Sequence, residues 1–204
     1  MSSPLARLKK RELAGRIVAL ERSTEPDNSP LLSVAKENLR IETTAQDALL
    51  QRLINAAVRY VEMISRKSLL DQGRRLTLDN FPAEEFVQLY APPVKAVTSF
   101  TTYDENDVPD ATFADYTLDL RGSRILLKYG FQWPVNLRSA SAVVIVYTTG
   151  HGTTAAALPQ TLLEAVLMLV AHWYQNPSAV GCDVGPELAH SVEALIGIER
   201  DWRL

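Results

Sequence analysis

Between residues 45 and 66 the apolar side chains Leu49, Leu53, Ala57, Tyr60, Val61 and Ile64 recur at helical spacing. That period predicts an amphipathic helix about 33 Å long, at roughly 1.5 Å per residue. Thr44 followed three residues later by Asp47 approximates a capping box at its start. A shorter helix is predicted from Ser29 or Pro30 to about Arg40, with Val34, Ala35 and Leu39 on one side and proline at its first position. From Pro159 to about Gln175 the apolar positions Leu162, Leu163, Val166, Leu167, Leu169, Val170, Trp173 and Tyr174 cover more than a narrow stripe. This predicts a central helix buried on several sides. Leu188, Val192, Leu195 and Ile196 predict a short fourth helix.

Between residues 74 and 149 the period changes. Runs at 75–79, 86–89, 97–103, 116–118, 124–129 and 142–148 are short and rich in β-branched and aromatic residues, with turn residues between them. The polar stretch 104–109 predicts a hairpin or longer loop. No helix-length segment separates these runs, so the expected unit is an antiparallel sheet or a small barrel and not a parallel α/β fold. The expected fold class is α+β: a helical bundle, with helices at about 31–66 and 159–196, and an intervening antiparallel β unit at about 74–149.

Near the start, Leu5, Leu8, Leu13, Ile17, Val18 and Leu20 have roughly helical spacing and alternate with basic residues. The stretch 23–30 has the Pro and small polar residues of a linker. Residues 1–30 therefore read as a basic arm and linker, and residues 31–204 as the body. Charge sharpens that division. Residues 1–23 hold six basic side chains, Arg7, Lys9, Lys10, Arg11, Arg16 and Arg22, against Glu12 and Glu21; this net +4 leaves −7 for the remainder of a chain whose total is −3. The arm reads either as a helix that docks on a partner or as a solvated terminus.

At 204 residues, 47% hydrophobic and 22% charged, the chain supports one substantial core. The overall charge gives nucleic-acid binding no special support. Cys182 is the only cysteine, which excludes an intramolecular disulfide framework and a paired-cysteine metal or redox motif. No apolar run approaches the ~18 residues of a membrane-spanning helix, so no membrane partner is expected, and the start does not read as a secretory signal.

The candidate chemistry is thin. His151, His172 and His190 lack the spacing of a zinc site. His151 lies in TTGHGTT, where the glycines are explained by backbone turns, and the motif lacks the lysine and full glycine spacing of a phosphate loop. Glu84 and Glu85 are adjacent, which is not the separation of paired catalytic carboxylates. Asp104, Asp107 and Asp110 miss the calcium-loop pattern. Neither catalytic residues, a metal nor a cofactor is expected.

The order of motifs carries more. LLSVAKENLRI at 31–41, ALLQRLINAAVRYVE at 48–62, APPV at 91–94, VIVYTTGHG at 144–152 and LPQTLLEAVLMLVAHWY at 158–174 together resemble the phage head–tail connector (adaptor) family, including similar components of gene transfer agents. The resemblance spans about residues 30–196. It implies a homo-oligomer, commonly a dodecameric ring, between the portal and stopper or tail proteins at the virion neck, assembled in the host cytoplasm. It further implies an extended DNA channel with transient, non-specific DNA contact. On that reading the candidate portal- or subunit-docking residues are Leu5, Arg7, Leu8, Lys9, Lys10, Arg11, Leu13 and Ile17 near the start and Trp202, Arg203 and Leu204 at the end. The alternatives are another neck component such as a stopper or tail-completion protein, a small enzyme using His151 or Cys182, or a DNA-binding module using the basic arm.

Overall fold

The computed structural model describes residues 16–111, 113–176 and 186–200, the side chains of 186–189 excepted. The chain forms two compact units: residues 72–149 with the described part of 1–25, and residues 26–71 with 150 onward.

The first unit is all β. A five-stranded antiparallel sheet has the order β1 (Ile17–Thr24), β2 (Gln72–Leu78), β8 (Val143–Thr149), β4 (Val94–Tyr103) and β5 (Pro109–Asp110). A smaller sheet has the order β3 (Phe86–Gln88), β7 (Arg124–Leu127) and β6 (Tyr116–Asp119). The central strand β8 shows how the sequence builds this unit. Its residues alternate, with Val143, Ile145, Tyr147 and Thr149 buried and Val144, Val146 and Thr148 half-buried, as a strand with two unlike faces requires. Leu76, Ile145 and Phe100 stand on one rung across β2, β8 and β4, and all three are buried. Val87 and Ile125 of the smaller sheet meet them in a single core. Phe81, Phe100, Phe113, Tyr116 and Trp133 extend that core as a run of stacked and tilted rings 4.6 to 6.3 Å apart.

The second unit is helical: α1 (Pro30–Leu39), α2 (Asp47–Ser65), α3 (Gln160–Gln175) and α4 (Pro186–Glu199), with a short 3-10 turn at Ala155–Ala157. α3 packs against each of the other three helices. Its Leu162, Leu163, Ala165, Val166, Leu167, Leu169 and Val170 are all buried, so the wide apolar face read from the sequence is the centre of the bundle. α2 contributes Leu50, Ile54, Ala57, Val58 and Val61. Both α1 and α2 end on a left-handed arginine, Arg40 and Arg66, whose backbone N–H groups return to Glu37 and Lys36 carbonyls and to the Glu62 carbonyl. Beyond α2, the buried Glu62 carboxylate accepts the Leu69 N–H at 2.8 Å. The chain then pairs Leu70 with Gly152 and binds the His151 N–H to the Leu69 carbonyl. Gly150 there has φ +130, and a Cβ would lie 2.5 Å from the Leu70 carbonyl oxygen, so only glycine fits the crossing.

The expected α+β class, with helices on either side of an antiparallel unit in sequence, is what the structure has. Two expectations need correction. Residues 17–24 are a strand and not the end of an amphipathic helix: the ladder to β2, from Ile17 opposite Leu78 to Thr24 opposite Gly73, satisfies the backbone in extended form. Ile17, Val18 and Leu20 fit either period over so short a span. The arm and linker drawn at 1–30 therefore crosses a real element, and the connection to α1 is residues 25–29. The capping box is also absent: α2 starts at Asp47, the Thr44 carbonyl accepts the Asp47 N–H, and the Asp47 carboxylate pairs with Lys36 at 2.7 Å. At the start of α1 the Asp27 carboxylate accepts the Ser29 N–H at 2.9 Å, and these bonds to Ser29 hold Asp27 below the usual carboxylate range.

Candidate docking surfaces

The polar candidates resolve into structural duties. Asp104 closes the hairpin by accepting the N–H groups of Asn106 and Val108, both at 2.8 Å. Asp107 meets Arg138 at 3.3 Å, and Arg138 lies 4.0 Å over the Tyr103 ring. Glu84 offers its backbone carbonyl to the Trp133 indole N–H at 3.1 Å. His151 sits in the crossing described above. Among the described residues no group of three or more His, Cys, Asp or Glu could hold a metal ion, and no helix is long and apolar enough to cross a membrane. Cys182 lies outside the described residues.

What the surface offers instead is uncovered apolar area. Among the described residues β1 is an edge strand paired only with β2. Ile17 stands opposite Leu78 and Leu20 opposite Leu76, so both face the core side of the sheet. Leu76 and Leu78 are buried, yet Ile17, Val18 and Leu20 are 40–48% exposed. Beside β1 and β3 lies a groove of about 240 Å³ lined by Ile17, Leu78, Pro82, Phe86, Val87 and Tyr90 and by the polar Glu84 and Gln88. Its Tyr90 wall is fixed from within: the buried Tyr147 hydroxyl donates to the Tyr90 carbonyl at 3.1 Å and accepts the Tyr90 N–H at 3.2 Å. Burial pushes the Tyr147 phenol up to about 12, against an ordinary 10.0.

A second apolar feature protrudes. In the loop after β7, Tyr129 is fully exposed, Val135 75% and Phe131 49%. The loop is nonetheless held in place. Lys128 N–H donates to the Asp115 carbonyl at 3.0 Å, Glu105 N–H donates to the Asn136 carbonyl at 3.2 Å, and Leu137 bridges Asp104. Trp133 stacks on Phe81 at 4.6 Å and roots the loop in the aromatic core.

On the helical unit, the line of α2 opposite its buried stripe carries Arg52, Arg59 and, at the cap, Arg66, spaced seven residues apart. The exposed residues between them, Asn55, Ala56 and Met63, include no acid.

Of the docking residues named from the sequence, Ile17 is brought to the groove. Leu5, Arg7, Leu8, Lys9, Lys10, Arg11, Leu13, Trp202, Arg203 and Leu204 lie outside the described residues. Sequence reasoning missed Phe86, Tyr90, Tyr129, Phe131 and Val135. The available signal was the run KYGFQWPVN at 128–136, where aromatics cluster around Gly130 and Pro134. The expected strand 124–129 absorbed its start, whereas β7 ends at Leu127.

A family model described as head completion protein (HCP) matches residues 32–181. No curated protein matches the chain. Among solved structures, a chain in the neck of an empty gene transfer agent (GTA) particle, computed with C6 symmetry, is 27% identical with a TM-score of 0.77, covering 92% of this chain and 97% of that one. A chain in the neck of the native GTA particle, computed with C12 symmetry, is 27% identical with a TM-score of 0.75 and the same coverage. A chain in the virion of the native GTA particle is 26% identical, also with a TM-score of 0.75 and the same coverage.

Proposed function

The chain belongs to the head completion protein family, and from that premise we propose that it is a structural component of a particle neck, joining head to tail. In finer detail it is an adaptor: copies form a ring between the portal and the stopper or tail proteins and extend the channel through which DNA passes. The observation that carries this reading is the end-to-end likeness, over 92% of this chain and 97% of the other, to a chain from a neck computed with C12 symmetry. A cyclic ring repeats one heterologous contact, so each copy needs two different, complementary surfaces. The groove beside β1 and the loop 128–136 are exposed surfaces that such contacts can use. No catalysis is assigned to the chain.

The terminal residues Arg7, Lys9, Lys10, Arg11 and Trp202 are assigned to docking on the portal or on a neighbouring copy, where many weak contacts add by multivalency. The arginine line of α2 is the described surface suited to passing DNA, through salt-sensitive contact with phosphates and no base readout. The family description also favours a completion or stopper role, in which the ring would bind tail components and not the portal. Native mass spectrometry and electron microscopy of the protein, alone and mixed with its cognate portal and tail components, test the assignment. A ring of about twelve copies bound to the portal is the expected result. A persistent monomer in the presence of the portal would overturn it, and a ring that binds only tail components would move the assignment to the stopper role.

A further inference from the structure

We propose that the basic arm of the chain, residues 5–13, rests on an acidic and aromatic surface of the same chain, formed by the loop 128–136 with the stretches 79–85 and 104–115. The proposal concerns the unassembled chain and stands whether or not copies form a ring. Its first support is charge. Residues 24–204 carry a net −7, and most of it is gathered here: three acids at 79–85 and five at 104–115 stand against Lys128 and Arg138 alone at 128–138, a net −6. These stretches are bonded to one another. Lys128 N–H donates to the Asp115 carbonyl, Glu105 N–H to the Asn136 carbonyl and the Trp133 indole to the Glu84 carbonyl. Asp104 is engaged in closing its hairpin and Asp107 with Arg138, whereas Glu84, Glu85 and Glu105 are exposed beside them. Between the acids the loop presents Tyr129, Phe131 and Val135, each 49% exposed or more. Residues 5–13 are the counterpart in sequence: Arg7, Lys9, Lys10 and Arg11 against Glu12, a net +3, interleaved with Leu5, Leu8 and Leu13. Opposite charge meets apolar area on both sides, the pairing that sets orientation and excludes wrong partners.

The second support is placement. The Arg16 carbonyl accepts the Asp79 N–H at 3.2 Å, so the chain enters β1 against the first acidic stretch. Ile17 lines the groove together with Glu84, whose carbonyl holds Trp133 of the loop. Across the large sheet Ile17 stands opposite Leu78, Leu78 opposite Val143 and Val143 opposite Thr102, two residues before the acidic hairpin opens at Asp104. The arm therefore leaves the sheet at the end where the acids lie. From β1 to β4 is three strand spacings, roughly 14 Å at about 4.8 Å each. The five residues from Arg16 back to Arg11 span up to roughly 16 Å, so Arg11 and the residues before it reach the acids without a second copy. Docking of the arm on a portal or a neighbour then requires it to leave this surface, an exchange that salt favours by screening the exposed charges.

The test uses the full chain at high dilution, in two parts. In the first, limited digestion with trypsin, which cuts after Arg7, Lys9, Lys10 and Arg11, is followed by intact-mass spectrometry. Glu84→Gln, Glu85→Gln and Glu105→Gln combined should speed cleavage of the arm about tenfold at low salt, the effect of three weakened surface pairs. At about 1 M salt, where the Debye length is about 3 Å, parent and variant should be cut alike. In the second, Cys182→Ser removes the native thiol, and Leu8→Cys is combined with Phe131→Cys, with and without the three glutamine changes. Mild oxidation should close the pair within one chain, about tenfold faster where the glutamates are kept. The replaced side chains of the body are exposed, so circular dichroism of each variant should match the parent. Equal cleavage of parent and glutamine variant at low salt, or equal closure of the cysteine pair with and without the glutamates, would overturn the proposal. Covalent dimers in place of closed monomers would overturn the same-chain assignment and put the arm on a second copy. Neither part requires a ring, so failure here leaves the neck reading standing.

Discussion

Replacing Tyr147 with phenylalanine removes one oxygen from the centre of the β unit and tests how the groove wall is held. Tyr147 is fully buried on β8, and its hydroxyl both donates to the Tyr90 carbonyl and accepts the Tyr90 N–H. Two such bonds at roughly 1 kcal/mol each put the loss near 2 kcal/mol. Ionisation of the phenol supplies a separate handle on the same residue. Its folded value, pushed up to about 12 by burial, lies above the ordinary 10.0. The neutral form is thus the one the fold prefers, and its contribution is fully present below pH 10 and lost as the pH rises to about 12. Two pH units correspond to about 3 kcal/mol. Urea unfolding of the parent and of Tyr147→Phe at pH 8, 10 and 11 isolates this residue, because every other titrating group is common to both. The parent should be the more stable by about 2 kcal/mol at pH 8, and the gap should narrow from pH 10 upward. Parallel stability curves across that range, or a gap under about 0.5 kcal/mol at pH 8, which is no more than an ordinary surface substitution gives, would refute the reasoning.

Substitutions at four further positions probe the frame of the two units. Gly150→Ala forces a Cβ to 2.5 Å from the Leu70 carbonyl oxygen at φ +130, whereas Gly130→Ala at φ +84 meets no atom within 4 Å. Thermal unfolding should show a loss of at least about 2 kcal/mol for the first and only about 1 for the second. Leu169→Ala in the middle of α3, fully buried, should cost about 2–5 kcal/mol by denaturant titration followed by helical circular dichroism. Glu62→Ala strips the acceptor from the Leu69 N–H and should cost about 1–3 kcal/mol. Glu62→Gln keeps an acceptor oxygen and should cost less, so equal losses would show that the bond to Leu69 is not what the residue supplies.

The helices were legible from sequence because each is a long local pattern with its own period. α3 buries the stripe its spacing announces, and Pro30 opens α1 where a first-turn proline belongs; α2 forms where expected, but its buried face is turned to Leu50, Ile54, Ala57, Val58 and Val61, leaving Leu49 exposed and Leu53, Tyr60 and Ile64 half-buried. The strands of the β unit were legible as elements, because β8 alternates cleanly and turn residues separate the runs. The exposed apolar surfaces were not legible, for a different reason. Whether Phe86 or Tyr90 lines a groove depends on how far the smaller sheet extends under the larger one, and that follows from the pairing of β3, β7 and β6 and from no local pattern. Phe131 and Trp133 stand two residues apart in one loop. Only the tertiary stack that takes Trp133 inward decides that it is an anchor while Phe131 remains outside.

β1 joins these two kinds of information. Its residues can form a helix or a strand, and β2 decides the matter by offering a ladder along its length. The decision leaves a strand whose core-side residues, Ile17 and Leu20, stand beside buried Leu78 and Leu76 and remain two-fifths exposed. An eight-residue edge of this kind is a liability for an isolated chain, since unpaired backbone and aliphatic area together invite association. The strand carries Glu21 and Arg22 toward one end and shifts register on either side of them, devices that blunt an edge against indiscriminate pairing. At the other end, Ile17 stands next to a register shift and beside Arg16, and opens on the groove. An edge blunted in this way still leaves Ile17, Val18 and Leu20 two-fifths or more exposed, which suits it to a matched apolar surface and not to any strand it meets.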